Sequence, residues 1–385
     1  MKREIWLDYL RVAACFMVMV IHSTEPFYLG GDGGLILTPG DAFWVSLFEA
    51  LCRCCVPLFL LASSYLQFPL HYSAGEFFRR RAARILLPML LWTLVYAFVF
   101  GDPVSHLKGL PLNFNYAAGH LWFVYMLLGV YLLMPLLSPW AERVGKKELA
   151  VYLGIWLLTL FFPYVREWAG GVAPLIQAAD GLPAAAQFPL WGEASWNNFG
   201  TFYYVSGFVG FLLWGLAVKK FIPNTRKEGA IGVRLYLLGL VVIFCGFLWR
   251  FSRTGEGFPI AGDLQTAVAW EVPITYCSFF VFCTSFGLLL VFRRIGPGAG
   301  ETAFYRRIVL PLSQAGYGMY LTHMLLLGLF SDFFRRWLGT GTDALLGVWT
   351  TPVQVLATAV CTFVAVGAAC VLCRRIPRVG KWLMG

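Results

Sequence analysis

About ten apolar stretches, each of roughly 20 residues, recur along the chain and constrain its fold more than any other feature. A helix of about 20 apolar residues crosses the hydrocarbon core of a bilayer and satisfies its own backbone hydrogen bonds there. The chain is therefore predicted to be an all-α polytopic membrane protein with a single integral-membrane domain over residues 1–385. The predicted spans cover residues 5–27, 42–68, 83–101, 119–138, 149–165, 199–218, 234–251, 268–292, 309–330 and 350–373.

Composition and charge agree with this interpretation. Hydrophobic residues make up 59% of the chain and charged residues 13%, far from the balance of a soluble domain. If the N-terminus is cytoplasmic, most of the 30 Lys and Arg residues fall on the cytoplasmic side, which predicts that both termini are cytoplasmic. The net charge of +10 then reflects topology and attraction to anionic lipid, and it does not indicate nucleic-acid binding. We expect the cell (inner or plasma) membrane as the location.

The first span, IWLDYLRVAACFMVMVIHSTEPF, places Asp8, Arg11 and His22 inside an apolar run. Because a helix turns about 100° per residue, Arg11 and His22 return to within about 20° of the same face, roughly 16 Å apart along the axis. Asp8 lies three residues before Arg11 and is placed to pair with it. Glu25 lies three residues after His22 and is placed to accept from its imidazole. Two interpretations follow. Arg11 and His22 have separate structural roles, with Arg11 snorkelling to the headgroups, or both side chains line one functional site.

Five motifs then give a resemblance to a known family. In order along the chain they are LDYLRVAACFMVMVIHS, RCCVPLFLLASSYL, FFRRRAARILLP, GHLWFVYMLLGVYLLMP and LSQAGYGMYLTHMLLL. Together they resemble the acyltransferase 3 family of integral-membrane O-acyltransferases, which includes bacterial polysaccharide and lipopolysaccharide O-acetyltransferases. Arg11 and His22 match the family's pattern of an Arg, ten residues and a His. Ser64 departs from the pattern, since the family usually has a glycine there.

The resemblance implies transfer of an acyl group, usually acetyl from acetyl-CoA, to a hydroxyl of a surface polysaccharide, lipopolysaccharide or lipid-linked glycan. Arg11, Arg81 and Arg84 are predicted to bind the phosphates of CoA, because a guanidinium donates bidentate hydrogen bonds to phosphate. His22 is predicted to be the general base, with Glu25 orienting it. An acyl-histidine intermediate is an alternative to direct transfer. For the FFRRRAAR run by itself, a positive-inside anchor is the competing interpretation.

Four further residues are candidates for the acceptor site: His120, Trp122, Tyr125 and His323. Aromatic faces suit sugar rings, but an interfacial aromatic belt explains Trp122 and Tyr125 equally well. For His323 the competing interpretation is a hydrogen bond between helices.

Other polar groups give no sign of a metal or disulfide site. Arg53, within the second span, needs a counter-charge, which Asp8 or Glu49 would supply as a structural ion pair. No sequence motif has the spacing of a metal site, so no metal is expected. The ten cysteines lie mostly within predicted helices and lack the loop placement of a disulfide framework.

The competing function is a secondary transporter or flippase of a glycan or lipid, with Arg, His and Glu lining an intramembrane path. Paired halves are common in transporters, and no convincing correspondence between halves is present in this sequence. The expected partners are an acyl-CoA donor, a glycan acceptor and membrane lipids. The depth of His22 suggests an acceptor on the side opposite the donor. The long loop 166–198 is a candidate for a lid or for an acceptor-binding element.

Overall fold

The computed structural model describes residues 3–29, 35–100, 103–104, 108, 116–165, 205–253, 257–261, 270–295, 302–376 and 379–384. The loop 166–198 and the first part of the sixth predicted span, residues 199–204, lie outside the described residues. All statements about the structure below concern the described residues alone.

Helices make up nearly all of the described chain. Numbered in chain order, they are α1 Ile5–Thr24, α2 Pro39–Cys52, α3 Cys55–Gln67, α4 Ala74–Arg81, α5 Leu87–Phe100, α6 Trp122–Arg143, α7 Lys146–Thr159, α8 Val209–Lys220, α9 Arg226–Arg253, α10 Phe279–Phe292, α11 Leu310–Leu338, α12 Thr350–Cys373 and α13 Val379–Met384. The two-residue strands β1 (Leu35–Ile36) and β2 (Ile260–Ala261) pair antiparallel.

Eight helical stretches of the described chain are long and apolar enough to cross a membrane. They are Ile5–Phe27, Pro39–Gln67, Ala74–Phe100, Ala118–Arg143, Lys146–Val165, Arg226–Arg253, Val272–Phe292 and Gly347–Cys373. Each overlaps a predicted span. The other two predicted spans fall on α8, with 12 described residues, and on the 29-residue α11, which is more polar. The prediction of an all-α polytopic membrane protein is confirmed.

Two compact units divide the chain. Unit 1 comprises Met1–Ala62 and Pro223–Leu372, and unit 2 comprises Ser63–Ile222 and Cys373–Gly385. Unit 1 therefore contains α1, α2, α9 to α12 and both strands, whereas unit 2 contains α4 to α8 and α13. Helix α3 contributes residues to both, and the last residue of α12, Cys373, belongs to unit 2. We describe each unit by itself.

Glycines in unit 1 bring the backbones of α9 and α10 into contact. A Cβ atom added at Gly232 would lie 2.6 Å from the carbonyl oxygen of Gly287. One added at Gly239 would lie 2.6 Å from the carbonyl oxygen of Phe280. Membrane helices use small residues to pack this closely, since lipid offers them little hydrophobic drive to associate. The sequence places these glycines where no other residue fits.

Replacing Gly232 with valine is expected to destabilise unit 1 by about 1–3 kcal/mol, the usual cost of overpacking, because its side chain would overlap backbone atoms of α10. Thermal unfolding of the purified protein in detergent measures the effect. Gly328→Val is the matched control, since Gly328 is exposed on α11 and a Cβ atom there meets nothing within 4 Å. Equal unfolding temperatures for the two variants would show that the α9–α10 contact contributes little.

Two tryptophans connect the helices of unit 2. The buried indole of Trp156, on α7, packs against Gly210 of α8 and donates a 2.7 Å hydrogen bond to the carbonyl of Gly207. The indole N–H of Trp92, on α5, donates to the carbonyl of Leu383 on α13 at 2.8 Å. Each indole thus buries an apolar body while its N–H finds a backbone acceptor.

Candidate functional site

Arg11 and His22 lie on one uninterrupted helix. Helix α1 is α-helical from Ile5 to Thr24, so the two residues are about 16 Å apart along its axis and on the same face. Both residues are partly buried. Helix α1 therefore holds a guanidinium toward one end and an imidazole at the other, as the sequence predicts.

His22 contacts Glu25 at the end of α1. The helix gives way after Thr24 to a single 3-10 turn, Glu25–Phe27, which contains Pro26. His22 Nδ1 lies 2.8 Å from Glu25 Oε1, with 17% of the His22 side chain and 29% of the Glu25 side chain exposed. A carboxylate accepts, so Nδ1 carries the proton and donates it to this hydrogen bond. The other ring nitrogen, Nε2, is then the basic one.

A second imidazole packs against His22. The ring centroids of His22 and His323 are 5.2 Å apart, with the ring planes inclined by 40°. His323, on α11, is fully buried, and its Nδ1 lies 2.6 Å from the backbone carbonyl of Tyr320. That carbonyl only accepts, so Nδ1 of His323 is protonated. The structure thus brings together two of the histidines that the sequence singled out.

A buried cluster of charged and hydroxyl groups adjoins the same end of α1. We call it the Arg53 cluster; its members are Thr24, Tyr28, Glu49, Arg53 and Glu271. The Thr24 hydroxyl donates to Glu49 Oε1 at 2.6 Å, and the Tyr28 hydroxyl donates to Glu271 Oε1 at 2.9 Å. Arg53 Nη1 is 3.3 Å from Glu49 Oε2, and its Nη2 is 3.7 Å from Glu271 Oε2. One guanidinium therefore bridges two carboxylates in a part of the protein where unpaired charges are costly.

Backbone and aromatic contacts complete the surroundings of Arg53. Its Nε donates to the carbonyl of Ile274 at 2.9 Å, and its guanidinium carbon lies 4.5 Å from the ring centroid of Tyr276. Its charge also acts favourably on Glu25, the partner of His22. Of the two partners that the sequence offered for Arg53, Asp8 and Glu49, the structure shows Glu49, whereas Asp8 pairs with Arg3.

Glu271 was not singled out by the sequence analysis, although the sequence contains an indication of its role. Glu271 is the lone charged residue in the predicted span 268–292. An isolated acid in such a segment needs a partner, and the one buried arginine of the second span was the obvious place to look.

A different polar group holds the other end of α1. Asp8, which is buried, accepts hydrogen bonds from Arg3 Nε at 2.7 Å, from the Tyr305 hydroxyl at 2.7 Å and from the Ser313 hydroxyl at 2.6 Å. The ion pair that the structure shows for Asp8 is thus with Arg3, whereas the sequence pointed to Arg11. The hydrogen bond to Asp8 raises the pKa of Arg3. These contacts tie the start of α1 to the start of α11.

The arginines of FFRRRAAR belong to unit 2. Arg81 donates to the side-chain oxygen of Gln67, and its guanidinium carbon lies 5.4 Å from the ring centroid of Phe77 and 5.3 Å from that of Tyr131. Arg84 is exposed. The run contains four arginines, of which Arg79, Arg80 and Arg84 are exposed, which suits either a phosphate site or an interfacial anchor.

Arg84 lies in an irregular helical turn. Residues Ala82–Leu86 form a π-helical turn in which the Leu87 N–H donates to the carbonyl of Ala82, five residues earlier. The sequence explains this, because Pro88 has no N–H to donate to the carbonyl of Arg84, four residues before it. π-Helical turns of this kind are frequent at functional sites.

The remaining acceptor-site candidates also lie in unit 2. His120 is buried in the 3-10 turn that precedes α6, with its ring centroid 5.0 Å from that of Tyr96. The ring centroids of Trp122 and Phe208 are 6.0 Å apart, and Tyr125 is partly buried. These three candidates thus occur within a few residues of one another at the start of α6.

The described residues contain no group of three or more His, Cys, Asp or Glu side chains placed to hold a metal ion. No curated protein matches the chain, and no solved structure matches it. The family model of the acyltransferase 3 family, described as an acyltransferase domain, matches residues 4–372 and so extends over both units. With its multiple apolar helices, the chain belongs to the acyltransferase 3 family and is a multi-pass membrane acyltransferase.

Proposed function

We propose that this acyltransferase transfers an acetyl group from acetyl-CoA to a hydroxyl of a surface polysaccharide, lipopolysaccharide or lipid-linked glycan. The observation that carries the proposal is the contact between His22 Nδ1 and Glu25 Oε1 at the end of α1. A histidine oriented by a carboxylate is the arrangement that activates a hydroxyl for acyl transfer.

The proton and the electrons move as follows in this proposal. The Nε2 lone pair of His22 takes the proton from the acceptor hydroxyl as its oxygen attacks the thioester carbonyl carbon. The C–S bond then breaks, and the departing sulfur of CoA takes that proton back from Nε2. Glu25 stabilises the imidazolium between the two steps and keeps the ring in the tautomer that leaves Nε2 basic. The ester on the acceptor and free CoA are the products.

Arg11, Arg81 and Arg84 are proposed to bind the phosphate groups of CoA. Guanidinium groups recognise phosphate through paired, charge-assisted hydrogen bonds. The same-face placement of Arg11 and His22 supports the assignment of Arg11, since a donor with phosphates at one end and a thioester at the other is long and thin.

CoA is expected to stabilise the purified protein against thermal unfolding, because a ligand that binds only the folded state raises its stability. Arg11→Ala is expected to remove most of this stabilisation, as is the double variant Arg81→Ala with Arg84→Ala. Arg336→Ala is the matched control, since Arg336 is an exposed arginine of α11. Undiminished stabilisation of both test variants would refute the phosphate-binding role. A wild-type protein that CoA does not stabilise would instead favour a transporter.

The acceptor is proposed to meet His22 near His323, which packs against it. His120, Trp122 and Tyr125 are proposed as further acceptor-site residues, because they combine an imidazole with aromatic surfaces that suit sugar rings. We also propose that the protein lies in the cell (inner or plasma) membrane with both termini in the cytoplasm, in accordance with its distribution of basic residues.

A further inference from the structure

Unit 1 contains a cavity close to the end of α1 that none of the groups above accounts for. Its volume is about 330 Å³. Its walls come from Phe27, from the start of α2, from Arg335 on α11, from the glycine-rich stretch after α11 and from the first turns of α12. Ligand sites in proteins occupy about 300–1,000 Å³, so this cavity has the size of a site for one small ring.

One polar atom in the cavity wall lacks a partner. Gln354 lines the cavity and is 2% exposed. Its Nε2 donates to the carbonyls of Gly339 at 2.7 Å and of Phe334 at 3.4 Å. Both partners only accept, so this atom must be the amide nitrogen. Its Oε1 is buried and has no hydrogen-bond partner among the described residues. A ligand that donates an O–H or N–H would satisfy it.

The cavity lining contains one side chain of each charge, Arg335 and Asp41. Arg335 donates from Nη1 to the carbonyl of Pro26 at 2.7 Å. This hydrogen bond does not use the other N–H donors of the guanidinium. Asp41 accepts from the backbone N–H of Thr38 at 3.0 Å and from the Thr351 hydroxyl. The charge of Arg335 is favoured by the carboxylate of Asp332 and, less strongly, by that of Asp41. The Asp41 carboxylate would repel an anionic ligand, and the Arg335 guanidinium would repel a cationic one. The lining therefore favours an uncharged ligand with several hydroxyl groups.

The cavity adjoins the proposed catalytic pair. Phe27, which lines the cavity, belongs to the same 3-10 turn as Glu25. Arg335 donates a hydrogen bond to the carbonyl of Pro26, which lies between Glu25 and Phe27. The guanidinium carbon of Arg335 also lies 5.0 Å from the ring centroid of Phe27. One wall of the cavity is therefore built from the turn that carries the carboxylate partner of His22.

We propose that this cavity binds a sugar ring of the acceptor, with Gln354 Oε1 accepting a hydrogen bond from one of its hydroxyl groups. The proposal rests on the proposed function and deepens it, since it names where an uncharged carbohydrate is held for acylation.

The first test variant fills the cavity and leaves its polar side chains in place. Ala344 lines the cavity with an extended backbone that accepts any side chain, so Ala344→Trp blocks it. Leu345→Trp is the matched control, because Leu345 is 68% exposed and is not part of the cavity wall. Gln354→Leu removes the unpartnered oxygen, together with the Nε2 hydrogen bonds to Gly339 and Phe334, while roughly keeping the volume. The probes are glucose, galactose, rhamnose and N-acetylglucosamine at millimolar concentration, each followed by saturation-transfer NMR on the full-length protein in detergent.

At least one of the four sugars is expected to bind the wild-type and Leu345→Trp proteins. Ala344→Trp is expected to abolish that binding, and Gln354→Leu to weaken it about tenfold, the usual size of one hydrogen bond. Thermal stabilisation by CoA, measured in parallel, is expected to persist in all three variants and confirms that they are folded.

The outcomes separate the two proposals. If no sugar binds the wild-type protein, or if Ala344→Trp binds as well as Leu345→Trp, the cavity proposal is overturned even though CoA stabilises the protein. If sugars bind as expected but CoA does not stabilise the wild-type protein, the cavity proposal stands and the acetyl-CoA donor is rejected.

Discussion

Replacing His22 with alanine is expected to lower acyl transfer by about 10²–10⁴-fold, the contribution typical of a positioned general base. The reason is that Nε2 of His22 is the basic atom, since Nδ1 is occupied by the hydrogen bond to Glu25. CoA binding should be retained, because the proposed phosphate ligand Arg11 lies about 16 Å away on the same helix. Transfer of labelled acetyl to membrane glycan and thermal stabilisation by CoA measure the two effects separately.

His71→Ala is the matched control for this experiment, because His71 is an exposed loop histidine. We expect it to transfer acetyl at the wild-type rate. Near-normal turnover in His22→Ala would rule out His22 as the base. Loss of CoA stabilisation together with activity would mean instead that His22 supports the fold of α1 or the donor site.

Replacing Arg53 with methionine is expected to destabilise the protein by about 3–5 kcal/mol, the cost of leaving a buried charge without its partner. Arg53 bridges Glu49, whose side chain is fully buried, and Glu271. The double variant Arg53→Met with Glu49→Gln should recover part of the loss, because it removes both members of the more deeply buried pair. Thermal unfolding in detergent measures all of these variants.

Arg336→Met provides the control for losing an arginine of unit 1, since Arg336 is exposed. It should leave the unfolding temperature nearly unchanged, as surface substitutions usually do. If Arg53→Met were no less stable than Arg336→Met, the Arg53 cluster would have no structural role. If the double variant were as unstable as the sum of the two single variants, Arg53 and Glu49 would not be energetically coupled.

Much of the fold was predictable because its physical basis is local. A membrane helix satisfies its hydrogen bonds within itself, so apolar runs in the sequence report the helices directly. The contact between His22 and Glu25 was predictable for the same reason, since residues three apart on a helix are neighbours. The pairing of Glu49 with Arg53 follows the same rule with a spacing of four.

The contacts between distant segments were not predictable, because no periodicity encodes which helix faces which. The hydrogen bond between Asp8 and Ser313 is one example, and the contact between His22 and His323 is another. Asp8, His22 and His323 stand out in the sequence, but these contacts depend on how α1 packs against α11. Glu271 contacts Arg53 from the residue just before the short 3-10 turn Val272–Ile274. The predicted span 268–292 becomes a regular α-helix only from Phe279. Apolar patterns set which segments enter the membrane, and polar partners between segments follow from packing.

The Glu49–Arg53 pair has a consequence for how the protein is made. During synthesis α2 enters the membrane long before Glu271 is translated. Arg53 must therefore enter the membrane without Glu271 as a partner. A lone arginine at the centre of an inserting helix costs about 2.5–3.5 kcal/mol. Glu49, four residues earlier in α2, supplies a counter-charge from the same segment, in the orientation that favours such pairs. Arg53, the residue that caps the end of α2, can therefore enter the membrane already paired with Glu49 and meet Glu271 later.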